Sequence, residues 1–191
     1  MVTNLKKTIT LFSLLFLITI TLIVYASKLQ VEKPVTIAEE FGKNLYTADS
    51  QKIADYKKIM ASISNQANYL KMIQTFDKTI QPLMTKEAYE NCLANRYNTL
   101  SALICAKGNY TVQVTNFILS KNLYGEKEDK AGYYYEAKLK FTATNGKVER
   151  TDTSKGYIGL SKQNSQWKVS IHKLNEAPKL YNEIMIKDTK K

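Results

Sequence analysis

The residues of this 191-residue chain that are equipped for chemistry are few. His172 is its single imidazole, and Cys92 and Cys105 are its only thiols. A conventional zinc site takes three or four Cys, His or carboxylate ligands, so this set does not supply one, and no metal or cofactor is expected. His172 lies among Lys168 and Lys173, on the strand face opposite Trp167, with no Asp placed to orient it. It reads as a surface or partly packed histidine rather than a general base. The two thiols stand thirteen positions apart. On one continuous helix that is about 20 Å, and a bridge needs Cα atoms within about 7 Å. A Cys92–Cys105 disulfide therefore requires a turn between them, which Arg96-Tyr97-Asn98-Thr99 could make. The alternative is two buried, reduced thiols.

One further set of polar residues stands out. Tyr133, Tyr135, Ala137, Leu139 and Phe141 alternate with Tyr134, Glu136, Lys138 and Lys140, the pattern of a half-buried strand. Asn145-Gly146 then forms a two-residue hairpin turn. If Thr144 pairs with Lys147, Phe141 faces Arg150 and Leu139 faces Asp152. Arg150, Asp152 and Ser154 then fall on the apolar face, where an unpartnered charge is costly. Two readings follow. Either a bulge between Val148 and Tyr157 returns these residues to solvent, or Tyr133, Tyr135, Arg150 and Asp152 line a hydrated ligand pocket.

The elements that must position these residues divide into a helical part and a strand part. Thr36 and Glu39 form a capping-box pattern, followed by an apolar face of Ile37, Phe41 and Leu45. Asp49-Ser50 offers the next cap, before Ile53, Tyr56, Met60 and Ile63 at helical spacing. A third pattern, Tyr69, Met72, Ile73, Phe76 and Ile80, stops near Pro82. Thr85 can cap a fourth short helix carrying Tyr89, Cys92 and Leu93. Such stripes are the core faces of helices. After Gly108 the period becomes two. Tyr110, Val112 and Val114 share one face and Phe117 and Leu119 the other, which predicts a bulge at Thr115-Asn116. Tyr157, Ile158 and Leu160 belong to a third strand. Trp167, Val169 and Ile171 mark one face of the last. Leu180, Tyr181, Ile184 and Ile186 suggest a short terminal helix.

Thr8 to Ala26 is free of charge and rich in Leu, Ile, Val and Phe. As a helix it spans about 28 Å, close to a bilayer core. Lys6 and Lys7 precede it, which favours a cytoplasmic N-terminus. An uncleaved anchor and a signal sequence cleaved after Ala26 both place the rest outside the cytoplasm. The expected organisation is a cytoplasmic segment 1–7, an anchor 8–26, a tether 27–35, a domain 36–175 and a basic tail 176–191. The formal net charge is +11, and without Lys6 and Lys7 the residues beyond the anchor carry +9, which would face anionic lipid or wall polymer, or simply keep the domain soluble. Nucleic acid is not expected, because Arg96 and Arg150 are the only arginines and no recognition motif accompanies them.

The order of helices and antiparallel strands resembles the nuclear-transport-factor-2-like (cystatin-like) α+β fold. The run Leu160-Ser161-Lys162-Gln163-Asn164-Ser165-Gln166-Trp167-Lys168-Val169 is similar to that family's closing hairpin. Ala38, Phe41, Leu45, Thr47, Asp49 and Tyr56 resemble its first two helices. The resemblance covers roughly residues 36–175 and implies three or four helices packed on a curved sheet of about four strands. It supports fold more than function. An N-in anchor before such a domain also resembles the bitopic assembly subunits of type IV secretion and conjugation machines. That resemblance implies a non-enzymatic protein with protein partners or self-association. Enzymatic relatives of the fold carry Asp, His or Tyr in the pocket, and no matching His–Asp pair is found here. The expectation is therefore a binding or assembly module of the cell envelope, not an enzyme. The competing expectation is a protein that binds a small molecule or wall polymer at Arg150 and Asp152.

Overall fold

The computed structural model describes residues 33–122, 127–147 and 149–188. The chain divides between Glu32 and Lys33, and the described residues belong to the second unit. The expected membrane segment 8–26 lies outside them. Among the described residues no helix is long and apolar enough to cross a membrane.

The architecture is α+β. Among the described residues five α-helices precede a four-stranded antiparallel sheet, and a sixth follows it. α1 (Pro34–Tyr46) starts with Pro34 in its first turn, where the missing N–H costs nothing. Thr36 lies inside this helix, so it does not act as the cap of a capping box. α2 (Ser50–Ala61) is capped as expected, with the Lys52 amide donating to Asp49 Oδ1 at 2.7 Å. Its buried face is Ile53, Tyr56 and Ile59, and Met60 and Ile63 point outward. α3 (Gln66–Phe76) buries only Ile73 fully. The chain then passes through a 3₁₀ turn at Gln81–Leu83 containing Pro82. Thr85 caps α4 (Lys86–Ala94), accepting from the Ala88 amide at 3.2 Å.

α5 (Tyr97–Gly108) is a helix that the sequence pattern hides. Asn98, Ser101, Ala102, Ile104 and Cys105 are buried, and Leu100 and Leu103 pack partly against the same core. With contacts around most of its circumference, it carries no single apolar stripe. Arg96, with φ of 56°, makes the sharp turn from α4.

β1 (Tyr110–Lys121), β2 (Lys130–Ala143), β3 (Glu149–Gln163) and β4 (Gln166–Glu176) pair in sequence order. The expected bulge in β1 is present, as a register shift between Val114 and Asn116. The expected β2–β3 register is also present: Phe141 is opposite Arg150 and Leu139 opposite Asp152. No shift interrupts this pairing, so the bulge that would have turned Arg150 and Asp152 outward is not there. The shifts lie on the other side of β3, against β4, at Lys155/Gly156 and Gly159/Leu160.

The core lies between one sheet face and the helices. α1 crosses the sheet and touches all four strands, placing Phe41 and Leu45 over Tyr135, Leu139, Ile158 and Val169 as one buried cluster. α6 (Lys179–Asp188) packs on α5 and β3 and buries Leu180 in the same core. Pro178, also buried, separates it from β4.

Candidate functional site

Arg150 and Asp152 do line a cleft, of about 670 Å³, at the end of β3. Lys138, Thr151, Thr153 and Lys179 line it with them. Tyr133 and Tyr135 do not. They lie further along β2, opposite Ile158 and Gly156, and are buried beneath the helices. The four residues expected to form one pocket are therefore separated. The alternation of β2 correctly puts them on one face, but α1 covers only part of that face.

Arg150 and Asp152 are both held by the chain itself. The Arg150 guanidinium donates through both Nη atoms to the Glu183 carboxylate, Nη1 at 2.7 Å. Asp152 accepts from the Thr153 amide at 2.8 Å and from the Leu180 amide at 2.9 Å. The Leu180 amide lies in the first turn of α6, where a carboxylate satisfies an orphan donor and favours the helix dipole. These inward charges are thus the fastening of the terminal helix.

The second polar group was not legible in the sequence. It runs through the core from Glu176 to His172. Ser154 Oγ lies 2.9 Å from the Glu176 carbonyl and 3.0 Å from the Tyr46 hydroxyl. Tyr46 and Tyr135 hydroxyls are 2.7 Å apart, and the Tyr135 hydroxyl is 3.2 Å from His172 Nε2. The carbonyl can only accept, which fixes the direction of the chain. Ser154 donates to Glu176, Tyr46 donates to Ser154, and Tyr135 donates to Tyr46. His172 then carries its proton on Nε2 and donates to Tyr135. Its Nδ1 is a bare, buried acceptor without a hydrogen-bond partner.

His172 reaches this position because of the second β4 shift. Leu160 pairs with Val169, but Gly159 pairs with Ile171, so Ser170 is the extra residue. From there the faces exchange. Ile171 points outward at 45% exposure, and His172 turns in. This corrects the expected strict alternation of Trp167, Val169 and Ile171. The imidazole stacks on Tyr135 at 5.9 Å and meets the edges of Phe41 and Tyr97 at 5.3 and 5.1 Å. Burial in this uncharged aromatic cage lowers its pKa to about 4. Burial raises Tyr46 to about 12 and moves Tyr135 upward as well. Every member of the relay is therefore neutral at neutral pH, and none is poised for proton transfer there.

A third polar cluster ties helices together. Asp77, 1% exposed, accepts from Tyr89 at 2.8 Å and from Asn98 at 2.9 Å. Burial raises its pKa. Lys52 donates to the Asn44 and Thr47 carbonyls at 2.7 and 2.9 Å, at the end of α1. Burial lowers its pKa to about 8. Its protons are spent on a helix C-terminus, an arrangement favoured by the dipole.

Cys92 and Cys105 are both buried and carry free thiols in the structure. The turn that a bridge would need is present at Arg96, but the two residues are separately packed in α4 and α5. Burial pushes each thiol up to about 12. Among the described residues no group of three or more His, Cys, Asp or Glu could hold a metal ion.

No family model and no curated protein matches the chain. Among solved structures it is similar to an IcmL-like type IV secretion system protein from Legionella pneumophila. The two share 14% identity over 75% of this chain and 88% of that one, with a TM-score of 0.45.

Proposed function

We propose that this chain is a non-enzymatic binding or assembly module of the cell envelope, anchored by residues 8–26 with its nuclear-transport-factor-2-like domain outside the cytoplasm. The observation that carries this reading is where the reactive groups are spent. The relay is neutral and packed among aromatic rings, both thiols are buried, and Arg150 and Asp152 hold α6. What remains open is a surface cleft, which suits recognition better than bond-making. The charge-free segment after Lys6 and Lys7 supports the topology. In its narrower form the module is an assembly subunit of a type IV secretion or conjugation apparatus, a reading that rests on the order of anchor and domain.

The test is in intact cells stripped of wall. Added protease should degrade the domain, and crosslinking in membranes should capture the chain in a defined complex. A domain that stays fully protected overturns the topology. A chain recovered only as uncrosslinked monomer overturns the assembly role.

A further inference from the structure

We propose that the turn end of the α2–α3 hairpin docks on an anionic lipid bilayer. Met60, Ile63 and Leu70 enter the headgroup layer, and Lys57, Lys58 and Lys71 meet its charge. This deepens the envelope-module reading and rests on it for the nearness of the bilayer.

The apolar stripe of α2 outruns the core. Ile53, Tyr56 and Ile59 are buried, but Met60 is 40% exposed and Ile63 55%. On α3 only Ile73 is fully buried, and Leu70 is 49% exposed. The hairpin brings these residues to one end. The Asn65 amide donates to the Ser62 carbonyl at 2.9 Å, and Asn65 caps α3 through the Asn68 amide. Ser62 Oγ donates to Met72 Sδ at 3.1 Å, which closes the pair. A groove of about 200 Å³ separates the helices, with Ile59, Met72 and Phe76 in its lining. One exposed apolar residue is ordinary. Three at a single turn, beside such a groove, mark a surface that binds.

Charge names the occupant. From Tyr56 to Phe76 the chain carries Lys57, Lys58 and Lys71 and no Asp or Glu. The acids on either side of this run are occupied. Asp55 pairs with Lys58 at 3.2 Å and accepts from Gln51. Asp77, 1% exposed, accepts from Tyr89 and Asn98. α5, which packs on α2, contains no acid. Instead Arg96 and Lys107 act on Tyr56 from that side. Across α2, α3 and α5 only Asp55 reaches the surface as an acid, against Lys57, Lys58 and Lys71 at the hairpin. Apolar side chains among bases are the composition that enters an anionic headgroup boundary. A second copy would set like charges against these lysines. A polar wall polymer would leave the three apolar side chains without burial.

The bilayer is also the surface within reach. On the anchored reading, residues 27–33 alone join the apolar run to α1 at Pro34. They extend to at most about 25 Å. A domain of this length has a radius of gyration of about 15 Å. The tether therefore keeps the domain at the headgroup layer, and docking is an intramolecular event at high effective concentration. A few lysines and three apolar side chains, too weak to hold a free protein, suffice for a tethered one.

The experiment uses the full chain in vesicles of phosphatidylcholine, alone or with an equal part of phosphatidylglycerol. Cys92 and Cys105 are buried, so Ile63→Cys offers one accessible thiol for a fluorophore. Tyr134→Cys, at an exposed position on the sheet, is the control. Nitroxide lipids should quench the fluorophore at position 63 in the anionic vesicles and leave the one at 134 bright. Lys57→Gln with Lys71→Gln should weaken docking about 25-fold, at about fivefold per base, with the circular dichroism unchanged. No quenching at 63, equal quenching at both positions, or quenching that the double variant leaves intact overturns the proposal. So does shielding of position 63 only by added membrane proteins, which assigns the surface to a protein partner. Flotation with the neutral vesicles reads the anchor separately. A chain that floats there but is not quenched on anionic vesicles loses the docking surface and keeps the anchor. A chain that fails to float there loses the anchor, and quenching on anionic vesicles still decides the docking surface.

Discussion

His172 is a buried base whose charged form the fold does not accommodate. Around it stand Phe41 of α1, Tyr97 of α5, Tyr135 of β2 and its own strand, and none of these rings carries charge. Its pKa falls from an ordinary 6.5 to about 4. Above 6.5 both folded and unfolded chains hold it neutral, and its contribution to stability is complete. Between 6.5 and 4 the unfolded chain takes a proton that the folded chain refuses, so stability falls with pH. The loss is about 1.4 kcal/mol per unit, reaching about 3 kcal/mol near pH 4. Urea unfolding at pH 7 and pH 5 should show this slope, and His172→Phe should flatten it. The thiols give a second residue-scale expectation. With both pKa values near 12, iodoacetamide should leave Cys92 and Cys105 unlabelled in the folded chain. Both should label in denaturant without reductant. Labelling that needs prior reduction would instead reveal a bridge. The sequence does not make His172 readable, because one extra residue at Ser170 reverses the strand faces beyond it. A bulge on an edge-side pairing leaves no mark when its neighbours, Val169 and Ile171, are both apolar.

At the scale of elements, Asn145-Gly146 makes the β2–β3 register readable, and with it the inward placement of Arg150, Asp152 and Ser154. What those residues meet is not readable, since α6 and Tyr46 come from opposite ends of the chain. Asp152 is the cap of α6 in all but position. Asp152→Ala should cost about 1–2 kcal/mol, the range for a lost helix cap. Hydrogen exchange should show faster turnover of the amides from Leu180 onward. Gly156 has an equally local reason. A Cβ there would stand 2.1 Å from the Lys173 carbonyl and 2.5 Å from the Tyr135 hydroxyl. Gly156→Ala must therefore push β4 off β3 or Tyr135 off its partners. The expected penalty is about 1–3 kcal/mol, read as a lower thermal midpoint. A midpoint unchanged from the parent would show that this approach is slack. α5 escapes sequence analysis for the reverse of the usual reason, since too much of its surface is buried for a stripe to appear.

At the scale of the molecule, helices and sheet share one core. α1 reaches every strand, α5 touches β1, and α6 closes on α5 and β3. Units so interlocked have no part that can leave alone. Unfolding followed by Trp167 fluorescence on β4 and by far-ultraviolet circular dichroism of the helices should give one coincident transition. Two transitions would mean that helices and sheet are separable.

The core relay also sets an order in time. Tyr46 and Ser154 are 108 positions apart, Tyr46 and Tyr135 are 89 apart, and the relay ends at Glu176. A chain emerging N-terminus first carries the Tyr46 hydroxyl exposed for nearly the whole of its synthesis. Its acceptor arrives only with the third strand, and the terminal carbonyl only at the end of the fourth. Burying Tyr46 earlier would strand a polar group without a partner. α1 is thus among the last elements of the domain to be locked in place, and the domain finishes folding only after its final strand is complete.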